Sequence, residues 1–278
     1  MNNDDNNIYF ERGENYQIPD KAKVTVTDYD YKVEVKRSWR RQKNLRRYKR
    51  IEKNHFMDLQ TGEIKKYKNK NKFKTNNEIT KAMKELKELI LYNFKGNPNE
   101  LFITFTCEEN ITNLKEIKGY MKYFIKRLKR KYDKKKFEYI YKFEKMKNGR
   151  WHIHLLIKDT KNKSLYIKNS EIEKIWKKGL TKTKRISKEN PINGKNGIAG
   201  YMAKLTQLKE VPIGEKLFIK SRGIKKPKKE EMFYEEAEKK VKDDYDLIYE
   251  KTTLVKSKST NKIINSHKKE VYMKKPKK

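Results

Sequence analysis

A single cysteine, Cys107, in 278 residues leaves no internal disulfide framework and no zinc site built from thiolates. Apolar runs such as Leu89–Leu91 fall far short of the roughly 20 residues that a membrane-spanning helix needs. The polar, acidic stretch Met1–Asp5 is followed by no apolar segment, so no export signal is legible and a cytoplasmic location is expected. No G-x-x-x-x-G-K-[ST] occurs, which argues against a fused phosphate-loop motor. Negative charge is also scarce: 37 Asp+Glu stand against 73 Lys+Arg, a net +36. That surplus disfavours a metabolic enzyme or a membrane protein and points to a polyanion as partner. Arginine is in turn the minority cation, 12 of the 73. The lysine excess, alongside abundant Asn and Ile, is what AT-rich coding yields without selection for binding.

The arginines are clustered, which coding bias does not explain. Arg37, Arg40, Arg41, Arg46, Arg47 and Arg50 are half of the total, and they are candidate contacts to DNA phosphates. Arg127 and Arg130, at the basic end of an expected helix, are candidates too, as is Arg150, and for all of these the plain alternative is a solvated charged face. Trp151, with Tyr139, Tyr141 and Phe143, is a candidate surface for stacking single-stranded bases, the plain alternative being core. With 35% apolar residues, the core is expected to occupy part of the chain: one domain over residues 54–228, a partly disordered basic extension over 1–53, and a charged extension over 229–278 holding a helix and a hairpin.

Within the expected domain, Ile79, Met83, Leu86, Leu89, Ile90 and Phe94 recur at helical spacing before Gly96 and Pro98. Leu101–Thr106 reads as a buried strand. A helix over Asn113–Lys131 follows, with Ile117, Met121, Phe124 and Leu128 on one stripe. Strands over Phe137–Glu144 and Arg150–Ile157 flank Asn148–Gly149, a strong hairpin signal. A helix from Asn169, a short strand near Thr181–Ser187 and a helix over Ile198–Leu208 complete the series. The order β-α-β-β-α-β predicts an α+β fold, an antiparallel sheet of the split βαβ, ferredoxin-like type with helices on one face. Residues 1–30 show no period and are expected to be loosely ordered. A further helix is expected over Lys229–Val241, and hairpin strands over Leu247–Lys256 and Lys262–Met273.

Two of the four histidines, His152 and His154, alternate within the apolar strand Trp151–Ile157, so both imidazoles share a face and can ligate one divalent metal. A three-residue turn Lys147–Gly149, with Gly149 left-handed, places Glu144 opposite His152 on that face; a two-residue turn sends Glu144 to the other face. The plain alternative for Glu144 is an ion pair with Lys142 or Lys145. Two imidazoles and a carboxylate suit Mg²⁺ or Mn²⁺. In Gly197-Ile-Ala-Gly-Tyr-Met-Ala-Lys204, small residues let a helix approach the sheet, and Tyr201 and Lys204 share a helical face. A phenol with a pKa near 10 becomes a useful nucleophile beside an ammonium and a metal-polarised phosphodiester.

Phe102-Ile-Thr-Phe-Thr106, His152-Ile-His154 and Tyr201-Met-Ala-Lys204, in that order, resemble the three motifs of the HUH endonucleases. The likeness is narrowest to rolling-circle replication initiators of Gram-positive plasmids and phages with a filamentous-phage gene II-like replication domain. It runs from about His55 to Pro227 and includes Ser221-Arg-Gly-Ile-Lys-Lys-Pro227. The resemblance implies a site-specific single-strand DNA endonuclease and strand transferase. It would bind an origin hairpin or single strand, nick by attack of Tyr201, stay linked to the 5′-phosphate and leave a 3′-OH for polymerase. His152 and His154 are then metal ligands, Glu144 the third, and Lys204 assists. Position 205 is Leu, so no second tyrosine lies one turn on, and unwinding falls to a host helicase. The alternatives are a non-catalytic DNA-binding replication regulator, or a transposase or relaxase of the same chemistry.

Overall fold

The computed structural model describes residues 8–14, 18–40, 48–52, 55–66, 73–108, 111, 113–146, 148–187, 191–194, 197–204 and 213–276. Its strands and helices follow in chain order: β1 (Ile8–Gly13), β2 (Lys23–Asp28), β3 (Lys32–Arg40), β4 (Tyr48–Glu52), β5 (His55–Asp58), β6 (Ile64–Lys66), α1 (Asn76–Asn93), β7 (Glu100–Cys107), α2 (Leu114–Lys131), β8 (Phe137–Lys145), β9 (Trp151–Asp159), α3 (Asn169–Trp176), β10 (Gly179–Arg185), α4 (Ile198–Met202), β11 (Phe218–Lys220), β12 (Lys228–Phe233), α5 (Tyr234–Val241), β13 (Tyr245–Ser257) and β14 (Ile263–Lys274). No helix among the described residues is long and apolar enough to cross a membrane. The chain divides into two units, residues 71–226 and a unit made of 1–70 with 227–278.

In the unit of residues 71–226, five strands form an antiparallel sheet in the order β10-β7-β9-β8-β11. Taken as the four strands of the β-α-β-β-α-β series, this is the 4-1-3-2 order of the split βαβ arrangement, extended at one edge by β11. Alternation along the strands sends Ile103, Phe105, Tyr141, Phe143, Ile153, Leu155 and Ile157 to one face. There they bury against Ile117, Met121, Phe124 and Leu128 of α2 and Ile172 and Trp176 of α3. The opposite face is met by the C-terminal end of α1, where the Asn93 carbonyl accepts from Lys158 Nζ at 3.0 Å, and by α4. Helices therefore stand on both faces of the sheet, where one covered face was expected, because the elements outside the β-α-β-β-α-β series pack on the side that α2 and α3 leave open. Helix α1 starts at a capping box between Thr75 and Glu78, and Asn113 caps α2 by accepting from the Lys115 N–H.

The turn that enters β8 is held by one buried carboxylate. Asp159, fully buried, accepts from the backbone N–H groups of Lys136 and Lys161 at 3.1 and 3.0 Å, from Asn162 Nδ2 at 2.7 Å and from Lys135 Nζ at 3.3 Å. Burial by itself would raise its pKa; those donors outweigh burial and hold it below the ordinary range. A depressed folded pKa means that the contribution is complete above the unfolded value of about 4 and is lost as pH falls through the folded one. Asp159→Ala should therefore destabilise the protein by about 3 kcal/mol at neutral pH, by stranding buried donors, and much less at pH 2–3. Denaturant titrations at the two pH values measure the difference.

The terminal unit departs from the sequence expectation. Residues 1–30, expected to be loosely ordered, supply β1 and β2, and the two extensions expected as separate flanks join in one six-stranded antiparallel sheet, β1-β13-β14-β3-β2-β12. Val24, Val26, Val33 and Val35 bury against Tyr234, Ala237 and Val241 of α5. Lys229–Phe233, expected as the first part of a helix, lies in strand β12, because that segment hydrogen-bonds along β2 from Asp28 to Lys23; the helical part begins only at Tyr234. Local composition favoured a helix throughout, and an available strand edge overrode it. The segment His55–Lys66, expected inside the principal domain, falls in this unit as a hairpin of β5 and β6.

Candidate active site

The geometry follows from one turn. Gly149 sits at φ 85°, a region that costs L-residues energy but not glycine. Its N–H donates to the Met146 carbonyl at 3.0 Å, while Met146 N–H donates to the Arg150 carbonyl at 2.8 Å. The connection therefore has three residues, of which Lys147 lies outside the described ones. In this register Glu144 pairs with His152 and Lys142 with His154. On the other side of β9, Thr106 pairs with His152 and Thr104 with His154. Partners in antiparallel register share a face, so Thr104, Thr106, His152, His154, Lys142 and Glu144 form a three-strand polar patch opposite the core.

The contacts centre on His154, which is 1% exposed. Its Nε2 lies 2.8 Å from Glu144 Oε2 and 3.4 Å from the Tyr201 hydroxyl, and its Nδ1 lies 3.3 Å from Thr104 Oγ1. Phe102 stacks on the same imidazole at 5.9 Å and meets the Tyr201 ring edge-on at 6.4 Å. His152 is turned differently: its Nε2 lies 3.3 Å from Thr106 Oγ1, and the two imidazole centroids are 6.2 Å apart. Burial, the neighbouring His154 and the Arg150 charge lower the His152 pKa against the opposing pull of Glu144, which favours the neutral imidazole.

Tyr201 reaches the patch because α4 docks tightly. A Cβ on Gly197, the residue before the helix, would come within 2.6 Å of the Asn193 backbone, and backbone cannot swing aside. Ile198, Ala199 and Met202 are buried, while Tyr201 is 49% exposed and its hydroxyl faces the sheet. Burial first, and then the Glu144 charge, raise the pKa of the phenol. The helix is shorter than the expected Ile198–Leu208. It ends at Met202, where the Ala203 N–H is shared between the Ala199 and Tyr201 carbonyls and the Lys204 carbonyl turns to Lys142 Nζ at 3.1 Å; residues 205–208 lie outside the described ones. Lys204 therefore sits beyond the helix with its side chain exposed, rather than on a shared helical face with the phenol.

The remaining candidates scatter. Arg150 stands just before β9, near enough for its charge to act on His152, and holds the Cys107 carbonyl through Nε and Nη2 at 3.3 and 3.2 Å. Trp151, Tyr139, Tyr141 and Phe143 belong to the core face, away from the histidines. Arg127 and Arg130 are on exposed positions of α2, Arg127 reaching the Ile175 carbonyl at 3.3 Å. Arg37 lies in β3 of the terminal unit; of Arg40 and Arg50 the backbones alone are described, in β3 and β4, and Arg41, Arg46 and Arg47 lie outside the described residues. The sequence pattern assigned no role to Thr104, Thr106 or Phe102 as single residues, and Lys142 stood there only as an ion-pair partner of Glu144. The threonine alternation in Phe102–Thr106 matches the histidine alternation, and aligning the two strands pairs them.

The donor set fits a divalent cation in kind: two imidazoles and a carboxylate. As the side chains stand, Glu144 and His154 touch while His152 points its Nε2 to Thr106. Among the described residues no three such groups are gathered as a ready-made metal site.

A ferredoxin-like sheet with a histidine–carboxylate patch under a helix-borne tyrosine defines a class of site that can support phosphoryl chemistry at a phenol. Residues 100–206 match the family of replication-associated proteins described by ORF2 and the gene II protein. The matched stretch starts at β7 and ends just past α4, so it contains Glu144, His152, His154, Tyr201 and Lys204, and over it the chain is similar to replication-associated proteins. No curated protein and no solved structure matches the chain.

Proposed function

We propose that this protein initiates rolling-circle replication by a metal-dependent single-strand nick at an origin. The observation that carries the reading is the contact of the Tyr201 hydroxyl with an imidazole that also holds Glu144, inside the replication-associated stretch. The Tyr201 oxygen attacks the scissile phosphorus and the phenolic proton passes to a base. The P–O3′ bond breaks, the 3′-oxygen takes up a proton, and the strand leaves a 3′-OH primer. The 5′-phosphate remains on the tyrosine, and the reverse reaction rejoins strands without ATP because the ester conserves the bond energy. Mg²⁺ or Mn²⁺, held by His152, His154 and Glu144, would withdraw charge from the phosphate in the transition state. Lys204, exposed beyond the helix end, would meet a bound phosphate, and Arg150 at the rim would add a second cation. Arg37, Arg40, Arg41, Arg46, Arg47, Arg50, Arg127 and Arg130 would track duplex or flanking phosphates, and unwinding and synthesis would be left to a host helicase and polymerase.

The test is a series of labelled single-stranded oligonucleotides tiled across candidate origins, incubated with Mn²⁺ or Mg²⁺. A denaturant-resistant protein–DNA adduct that EDTA prevents is the expected result. Salt-sensitive binding with no adduct on any oligonucleotide would favour a non-catalytic DNA-binding regulator.

A further inference from the structure

We infer that Lys142 is a positioning residue for the nick, fixing the end of the tyrosine helix against the strand that carries Glu144. The inference rests on the reading of Tyr201 as nucleophile. Lysine is seldom fully buried without a partner that justifies it, yet Lys142 is 1% exposed. It lies directly across from His154 in the β8–β9 register and two residues from Glu144 on the same face. Its Nζ donates to the Lys204 carbonyl at 3.1 Å. One side chain thereby links β8, the strand of Glu144, to the residue that follows the helix of Tyr201, at a register position beside His154 of β9.

Helix α4 needs such a tie. It has five residues and no side-chain cap at its start, far below the roughly 12–15 residues at which a helix begins to hold its own shape. Its N-terminal end is fixed by the backbone, where Ile198 N–H donates to the Pro191 carbonyl at 2.8 Å and Ala199 N–H to the Ile192 carbonyl at 3.0 Å. Two residues past its C-terminal end, the chain is held by Lys142, whose ammonium takes the Lys204 carbonyl as acceptor. With the phenol oxygen 3.4 Å from His154 Nε2, a small swing of an untied end takes the nucleophile out of line.

Lys142→Met keeps the volume, removes the donor and relieves a buried charge, so the fold should not weaken. Under saturating oligonucleotide the rate of adduct formation should fall about 10- to 100-fold, the loss that follows from misplacing a reacting group by about an ångström. KM, Mn²⁺ affinity and melting temperature should stay near wild type. Amide exchange at Tyr201–Lys204 should quicken while β8 and β9 keep their protection, and Lys142→Arg, which retains a donor, should recover part of the rate. An unchanged rate in Lys142→Met overturns the inference, as does unchanged exchange in α4. A joint fall in melting temperature and metal affinity also overturns it, by assigning Lys142 to the fold alone. If wild type forms no adduct, the nucleophile reading fails, and the exchange experiment still decides whether Lys142 anchors α4.

Discussion

Tyr201→Phe is expected to abolish the covalent protein–DNA adduct completely, because the lost oxygen is the atom that would bond to phosphorus. The substitution removes a hydroxyl from a half-exposed ring and keeps the edge-on contact with Phe102, so stability should change by no more than about 0.5 kcal/mol and DNA binding should persist. The pH profile of the wild type carries further information. Burial and the Glu144 charge push the phenol above its ordinary value near 10, so at pH 7 fewer than about 1 in 1,000 molecules carry the phenolate. Adduct formation limited by that ionisation rises with pH, about tenfold per unit, from pH 6 to 9. A variant that still forms adduct would assign the nucleophile to another residue. A flat profile would mean that proton transfer to a base within the site, rather than prior ionisation, governs attack.

Removing the imidazole at the centre of the patch should be nearly as severe. His154→Ala takes away the group that contacts Glu144, Tyr201 and Thr104 together, so nicking should fall by at least about 100-fold. The lost ring is fully buried and stacked on Phe102, so a cost of about 2 kcal/mol in stability accompanies it, and nicking must be compared well below the melting temperature of the variant. Salt-dependent DNA binding, which depends on surface cations, should stay within about twofold. His152→Ala separates two arrangements. If His152 turns from Thr106 to join a metal, its loss lowers Mn²⁺ affinity as strongly as the loss of His154. If it stays on Thr106, metal affinity is nearly unchanged.

The parts of the site written in short-range pattern are legible in the sequence. Alternation puts His152 and His154 on one face, and Asn148–Gly149 announces the hairpin. Glu144 is conditional on the length of the turn, and the left-handed Gly149 resolves the condition in favour of a three-residue connection. The tyrosine helix is visible in the pattern but drawn too long, because composition alone does not show that the Lys204 carbonyl leaves the helical ladder for a buried ammonium. Lys142 itself looks like one lysine among many, since a lysine's burial depends on what is packed over it.

The sequence by itself determined the β-α-β-β-α-β series, the polar alternation on β9 and the tyrosine set among small residues, because each of these depends on neighbours within a turn or a strand. Tertiary structure alone decided that β7 lies beside β9 and brings Thr104 and Thr106 to the histidines. It also decided that the two ends of the chain share one sheet, with β2 pairing β12 across 200 to 210 residues and β1 pairing β13 across 239 to 249. Such pairings depend on free strand edges meeting in space, and hydrogen bonds between distant backbones leave no period in the sequence that would announce them.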